Sequence, residues 1–264
     1  VKILPDMRFS SFLTLFFAFF AFCNSSFAQK SSPQVSPKFT LHCAPEDSAS
    51  LAEWLAEGVA AVEQFFSHPF PRKFDVYVFP NRAALDKQWQ QDWGDSTFQS
   101  SCWMVASGVA HRLDILSPRV WATEACEHKV EDTLALRQLL QHELVHVYHG
   151  QHNAKPDFAG MDELGWWIEG LAVYASGQLD NARLARVRDL LVQKAYPAHL
   201  QQFWSGKNKY GLAGSMAAWV DKSNGRGVLF NLLSCADTNQ ILKTLQTDET
   251  SLLAAWEKYW SENH

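Results

Sequence analysis

The chain has 264 residues, 47% hydrophobic and 19% charged, with a formal net charge of -5. That length and apolar fraction suit one globular domain with a sizeable core. No basic stripe or Lys/Arg cluster runs along it, which argues against nucleic acid as a partner. The 11 tryptophans read mainly as core, with Trp103 and Trp166 as candidates to line a cleft.

The N-terminus reads as an export signal. Met7-Arg8 precedes an apolar run from Phe12 to Phe22, and Asn24-Ser25-Ser26 leads to Phe27-Ala28-Gln29. A positive start, an apolar stretch and a small-x-small site predict cleavage after Ala28. The apolar run is short for a membrane span. The expected product is exported, periplasmic or secreted, with no membrane attachment beyond the signal. Residues 29–37, rich in Ser, Gln and Pro, read as a linker before a single domain over 38–264. Loss of Cys23 with the signal leaves Cys43, Cys102, Cys126 and Cys235. An even number in an oxidising compartment suggests up to two disulfides. Three connectivities are open, and Cys102–Cys126 with Cys43–Cys235 is the working expectation.

Strands and helices mix up to residue 131. A strand is expected over 38–43, then a helix capped by Asp47 or Ser48 and running to Ser67. Leu51, Trp54, Leu55, Val59 and Val62 recur there at helical spacing. Phe74, Val76 and Val78 alternate with polar residues and predict a strand over 73–79. Asn81 caps a second helix through Trp93, and residues 94–101 read as loop. One or two strands follow over 103–116, broken near Ser107-Gly108 and ended by Pro118. From Asp132 or Thr133 the chain turns helical. The first helix is followed by a loop over 149–162. Further helices are expected near 163–178, 180–195, 211–223, 225–235, 237–246 and 249–261. Strand-helix followed by helix is an α+β pattern.

The first helix of that second half carries His142-Glu143-Leu144-Val145-His146, an H-E-x-x-H sequence. Residues four apart share a helix face, so His142 and His146 can aim two imidazoles at one zinc ion. Glu143, offset by one residue, suits a general base acting on water. Leu139, Leu140, Leu144, Val145, Val147 and Tyr148 surround the motif, and no other charge intrudes between Gln138 and His149. Downstream stands Trp166-Trp167-Ile168-Glu169-Gly170-Leu171-Ala172-Val173-Tyr174. A carboxylate among such neighbours calls for a cation.

Trp166, Glu169, Gly170 and Tyr174 resemble the W-x-x-E-G-x-x-x-Y pattern of gluzincin metallopeptidases. These are the peptidase MA-like group that includes thermolysin-like and aminopeptidase N-like enzymes. The resemblance covers roughly residues 100 to 220. It implies a zincin-like, thermolysin-like catalytic domain binding one Zn2+ through His142, His146 and Glu169. It also implies hydrolysis of peptide or protein substrates, with Glu143 as general base and Tyr210 as candidate donor to the oxyanion. Ser107-Gly108-Val109-Ala110-His111 stands where the family carries its substrate-binding edge strand, with His111 reading as an ordinary strand position. The aminopeptidase G-x-M-E-N motif is absent there, which leans towards endopeptidase action. Two alternatives stay open. A metzincin-like protease would use His152 as third ligand, although His149 stands where that pattern has glycine. A non-catalytic exported module would bind zinc or peptide without turnover. His149 and His152 otherwise read as loop or cleft-rim residues, and oligomeric state is open.

Overall fold

The computed structural model describes residues 34–262. The expected signal peptide and the start of the expected linker lie outside the described residues. The described residues begin with strands β1 (Gln34–Val35) and β2 (Phe39–His42), helix α1 (Pro45–Phe66), strand β3 (Phe74–Phe79) and helix α2 (Arg82–Trp93). Strands β4 (Ala106–Val109) and β5 (Arg112–Leu116) and the short helix α3 (Trp121–Glu124) follow. Then come α4 (Thr133–His152), α5 (Gly165–Ala175), α6 (Asn181–Val192) and α7 (Lys209–Asn224). The last three helices are α8 (Arg226–Leu232), α9 (Thr238–Thr244) and α10 (Glu249–Glu262). The fold is α+β, as expected. No helix among the described residues is long and apolar enough to cross a membrane.

The strands form one sheet in the order β1-β2-β3-β5-β4. β2, β3 and β5 run parallel, while β1 and β4 pair antiparallel at the two edges. The parallel pairs are joined by helical crossovers, as parallel pairing requires. Phe74, Val76, Leu113 and Ile115 are buried against the helices. Helix α1 packs on α4, and α4 lies across β4 and β5. Gly58 permits the first contact, because a Cβ there would stand 2.6 Å from the Leu144 side chain.

Several boundaries differ from expectation. α1 starts at Pro45 rather than at an Asp47 or Ser48 cap, since proline suits the first helical turn. Asp47 is instead buried and held by Ser117 Oγ at 2.8 Å and Arg119. β4 and β5 turn at Ala110-His111, not at Ser107-Gly108. Gly108 sits within β4 for another reason: a Cβ there would lie 2.3 Å from the Glu143 carbonyl oxygen. Accordingly, His111 is exposed in the turn rather than on a strand. Helix α4 runs through His149, Gly150 and His152, which had read as loop. Gly150 is required by close packing, with Pro156 O only 2.5 Å from where its Cβ would be. Cys102 and Cys126 form the expected disulfide, but Cys43 and Cys235 are not bridged to each other. Cys235 is buried near Thr244, while Cys43 follows β2 at the far side of the sequence.

Candidate metal centre and cleft

Asp132 starts α4 by accepting from the Ala135 amide at 3.0 Å. Behind the helix, Leu144, Val145 and Val147 are fully buried. Burying each is worth about 1.5–3 kcal/mol, so the helix is pinned along the turn that carries His142, Glu143 and His146. Those three are themselves almost entirely buried and line one cleft.

Glu169 comes from α5. Trp166, Trp167 and Ile168 on its N-terminal side are buried, and Gly170 on its C-terminal side meets α7. A Cβ on Gly170 would lie 2.4 Å from the Ala213 carbonyl oxygen. Backbone contact at that point draws α7 against α5. Tyr174 braces the same pair from another turn, donating to Asp221 Oδ2 at 2.5 Å, a carboxylate also held by Arg226. The tyrosine of the sequence pattern is thus a strut between helices.

The three expected ligands come together. His142 Nε2 and His146 Nε2 are 3.0 Å apart, and Glu169 Oε2 is 3.3 Å from the first and 3.6 Å from the second. A tetrahedral ion with bonds of 2.0–2.1 Å would space its ligand atoms by about 3.3 Å. The donor set fits as well. Gln178 Oε1 lies 3.0 Å from His142 Nδ1, and a carbonyl oxygen can only accept. That contact places a proton on Nδ1, so Nε2 is the nitrogen that would ligate an ion. Two imidazoles and a carboxylate so arranged could hold a metal ion.

Electrostatics follow the geometry. Burial draws the His146 imidazole down, but the carboxylates of Glu169 and, to a lesser extent, Glu143 together more than offset this and leave it above its ordinary value. Burial raises the Glu169 carboxyl, yet the charges and hydrogen bonds of the two histidines hold it far below the carboxylate range.

The cleft has a volume of about 1150 Å³. One wall is the edge strand β4, whose Gly108 backbone lies directly against that of Glu143. The segment entering β4 is held by Cys102–Cys126 and by Arg82, which donates to the carbonyls of Ser101, Cys102, Met104 and Glu124. Tyr210, in the first turn of α7, lines the same cleft. Burial, then the charges of Glu169 and Glu143, raise its hydroxyl above the ordinary value, so it remains a donor at neutral pH.

The structure does not bring His152 to the cluster. Its ring packs on Tyr148 and Phe230, with centroids 4.6 Å and 5.0 Å away. The physical reason is the continuity of α4, which carries position 152 past the ligand face instead of turning back. His149 is fully buried rather than at the rim. Trp103 lines the cleft, but Trp166 is buried and donates to Thr238. Sequence reasoning missed Gln178 and Lys209, both in the cleft wall. A lone glutamine 36 residues from the histidine it orients leaves no local pattern. Lys209 was detectable only as a charge beside Tyr210.

No protein-family model matches this sequence, and no curated protein matches it.

Proposed function

We propose that this protein is an exported zinc-dependent peptidase of the gluzincin type with a zincin-like fold, acting on internal peptide bonds. The observation that carries this reading is the convergence of His142, His146 and Glu169 beside Glu143, in a cleft walled by the open edge of β4. His142, His146 and Glu169 would hold the ion. When bound, zinc supplies Lewis-acid polarisation of a carbonyl and of water.

The residues of this chain do the rest. β4 pairs with an extended peptide through its free backbone edge and lays the scissile carbonyl beside Glu143. Glu143 accepts a proton as water adds to the carbonyl carbon, then returns it to the nitrogen as the C–N bond breaks. Tyr210 donates to the oxygen on which negative charge develops. Gln178 keeps the His142 ring oriented. The absence of a carboxylate on β4 favours internal bonds over capture of a free N-terminal amine. The Cys102–Cys126 bridge supports an oxidising compartment.

Glu143→Gln is the direct test. Loss of the general base is expected to cut peptide hydrolysis by about 10²–10⁴-fold while bound zinc stays constant. Undiminished hydrolysis would sink the mechanism. If wild type binds zinc and cleaves no peptide in a broad mixture, the protein is a binding module instead.

A further inference from the structure

Lys209 is the first residue of α7 and stands in the cleft wall next to Tyr210. Its Nζ is surrounded by three rings: it lies 4.5 Å from the centroid of Trp204, 5.2 Å from Tyr210 and 5.3 Å from Trp103. An ammonium is attracted to ring faces at these distances. The long, flexible side chain is thereby held in one place, with its ordering cost already met before any ligand arrives.

Among the described residues, no carboxylate pairs with Lys209, whereas the other strong cation of the cleft, Arg183, is bonded to Asp180 at 2.8 Å. Helix stability does not call for a lysine here, because a helix N-terminus disfavours positive charge. The remaining charged groups of the cleft wall, such as Glu127, Asp132, Asp157 and Asp162, are acidic. Apart from the ion that His142, His146 and Glu169 would hold, a carboxylate entering this cleft meets repulsion from those groups and attraction to the caged ammonium. Charge within the cleft thus directs a substrate's negative group to one end.

We infer that Lys209 is the specificity-determining anchor for a carboxylate on the substrate, with Trp103 and Trp204 flanking the residue that bears it. The inference rests on the peptidase reading of the same cleft. The carboxylate can be a peptide's C-terminus or an Asp or Glu side chain, and the ammonium pairs with either.

The test measures binding to the full-length, zinc-loaded Glu143→Gln variant, with and without Lys209→Met. Three short peptides of one length serve as probes: a free acid, its C-terminal amide, and the same amide with one internal residue replaced by Glu. At least one carboxylate-bearing peptide should bind about 10- to 100-fold more tightly than the plain amide, the range of a charge-assisted hydrogen bond. Preference for the free acid identifies the C-terminus; preference for the Glu peptide identifies a side chain. Lys209→Met should erase the preference and leave binding of the plain amide unchanged, and Lys209→Arg should restore most of it. Equal binding of all three peptides overturns the inference, as does an equal loss for all three in Lys209→Met. Hydrolysis by wild type separates the two readings. Cleavage without carboxylate preference sinks this inference alone. A Lys209-dependent preference without any cleavage sinks the peptidase reading alone. No binding of any peptide sinks both.

Discussion

Helix α4 carries two pairs of histidines in succession, and they have opposite surroundings. His142 and His146 face Glu169 and Gln178 across a cleft. His149 and His152, one to two turns further on, meet Phe158, Tyr148 and Phe230. Phe158 divides the pairs, with its ring 6.1 Å from that of His146 and 5.1 Å from that of His149. It holds this place with φ 59°, a left-handed backbone that a bulky residue rarely adopts.

The contrast shows that burial alone does not decide what a histidine does. His146 and His149 are both deeply buried. Burial lowers both, but the carboxylates beside His146 reverse the effect, whereas His149 has none. Burial first, then the proximity of His146, hold the His149 imidazole at about 3, and the Leu233 backbone offsets only part of this. Neither of its ring nitrogens makes a hydrogen bond of normal geometry. One pair is placed, with Glu169, where it could hold a metal ion. The other is apolar packing made from a polar residue, at a cost in stability.

The largest expected effect comes from comparing a deletion at the carboxylate facing the first pair with a deletion within the second. Glu169→Ala should abolish stoichiometric zinc binding, while His152→Ala should leave it intact. Metal content of the purified variants, measured by elemental analysis, decides this. Loss of zinc in His152→Ala with retention in Glu169→Ala would restore the metzincin-like alternative.

A smaller effect is expected behind the ligands. Gln178→Ala frees the His142 ring to rotate and to change tautomer, so zinc affinity should fall about 10- to 100-fold. Gln178→Glu keeps an acceptor at that place and should lose less. Competition with a chromogenic chelator reads both, and an unchanged affinity in Gln178→Ala would remove the orienting role.

The third effect belongs to the buried pair and depends on pH. His149 titrates at about 3 in the fold and near 6.5 when unfolded. Between those values only the unfolded chain binds the proton. Stability therefore falls as pH drops below about 6.5 and levels off near 3. Urea midpoints at pH 7 and pH 4.5, with chelator present to remove metal effects, should fall less for His149→Leu than for wild type. The difference is of order 2 kcal/mol for one proton over that interval. Parallel declines would show that His149 is not the group responsible.

Particular residues show how far the sequence could be read. His142 and His146 were legible because helical spacing alone puts them on one face, with Glu143 one residue to the side. Glu169 was legible because a carboxylate between Ile168 and Gly170, in a tryptophan-rich run, has no ordinary place in a core. Two glycines misled. Gly108 and Gly150 read as chain punctuation, yet both lie inside regular elements, because glycine marks close backbone approach as readily as a turn. The Cys43–Cys235 pairing failed for a related reason: spacing along the chain carries no information about which cysteines meet.

By itself, then, the sequence determined the α+β order of elements, the two helices bearing ligand candidates, and the identity of those candidates. These are local matters of periodicity and neighbouring side chains. Only the tertiary structure decided that Glu169 reaches His142 and His146 while His152 does not. It alone set Gln178 behind one ligand, pressed Gly108 onto Glu143, and caged Lys209 between rings from three separate positions in the chain. Those outcomes depend on which surfaces close-pack across long stretches of chain, and that is settled by the fit of whole elements against one another.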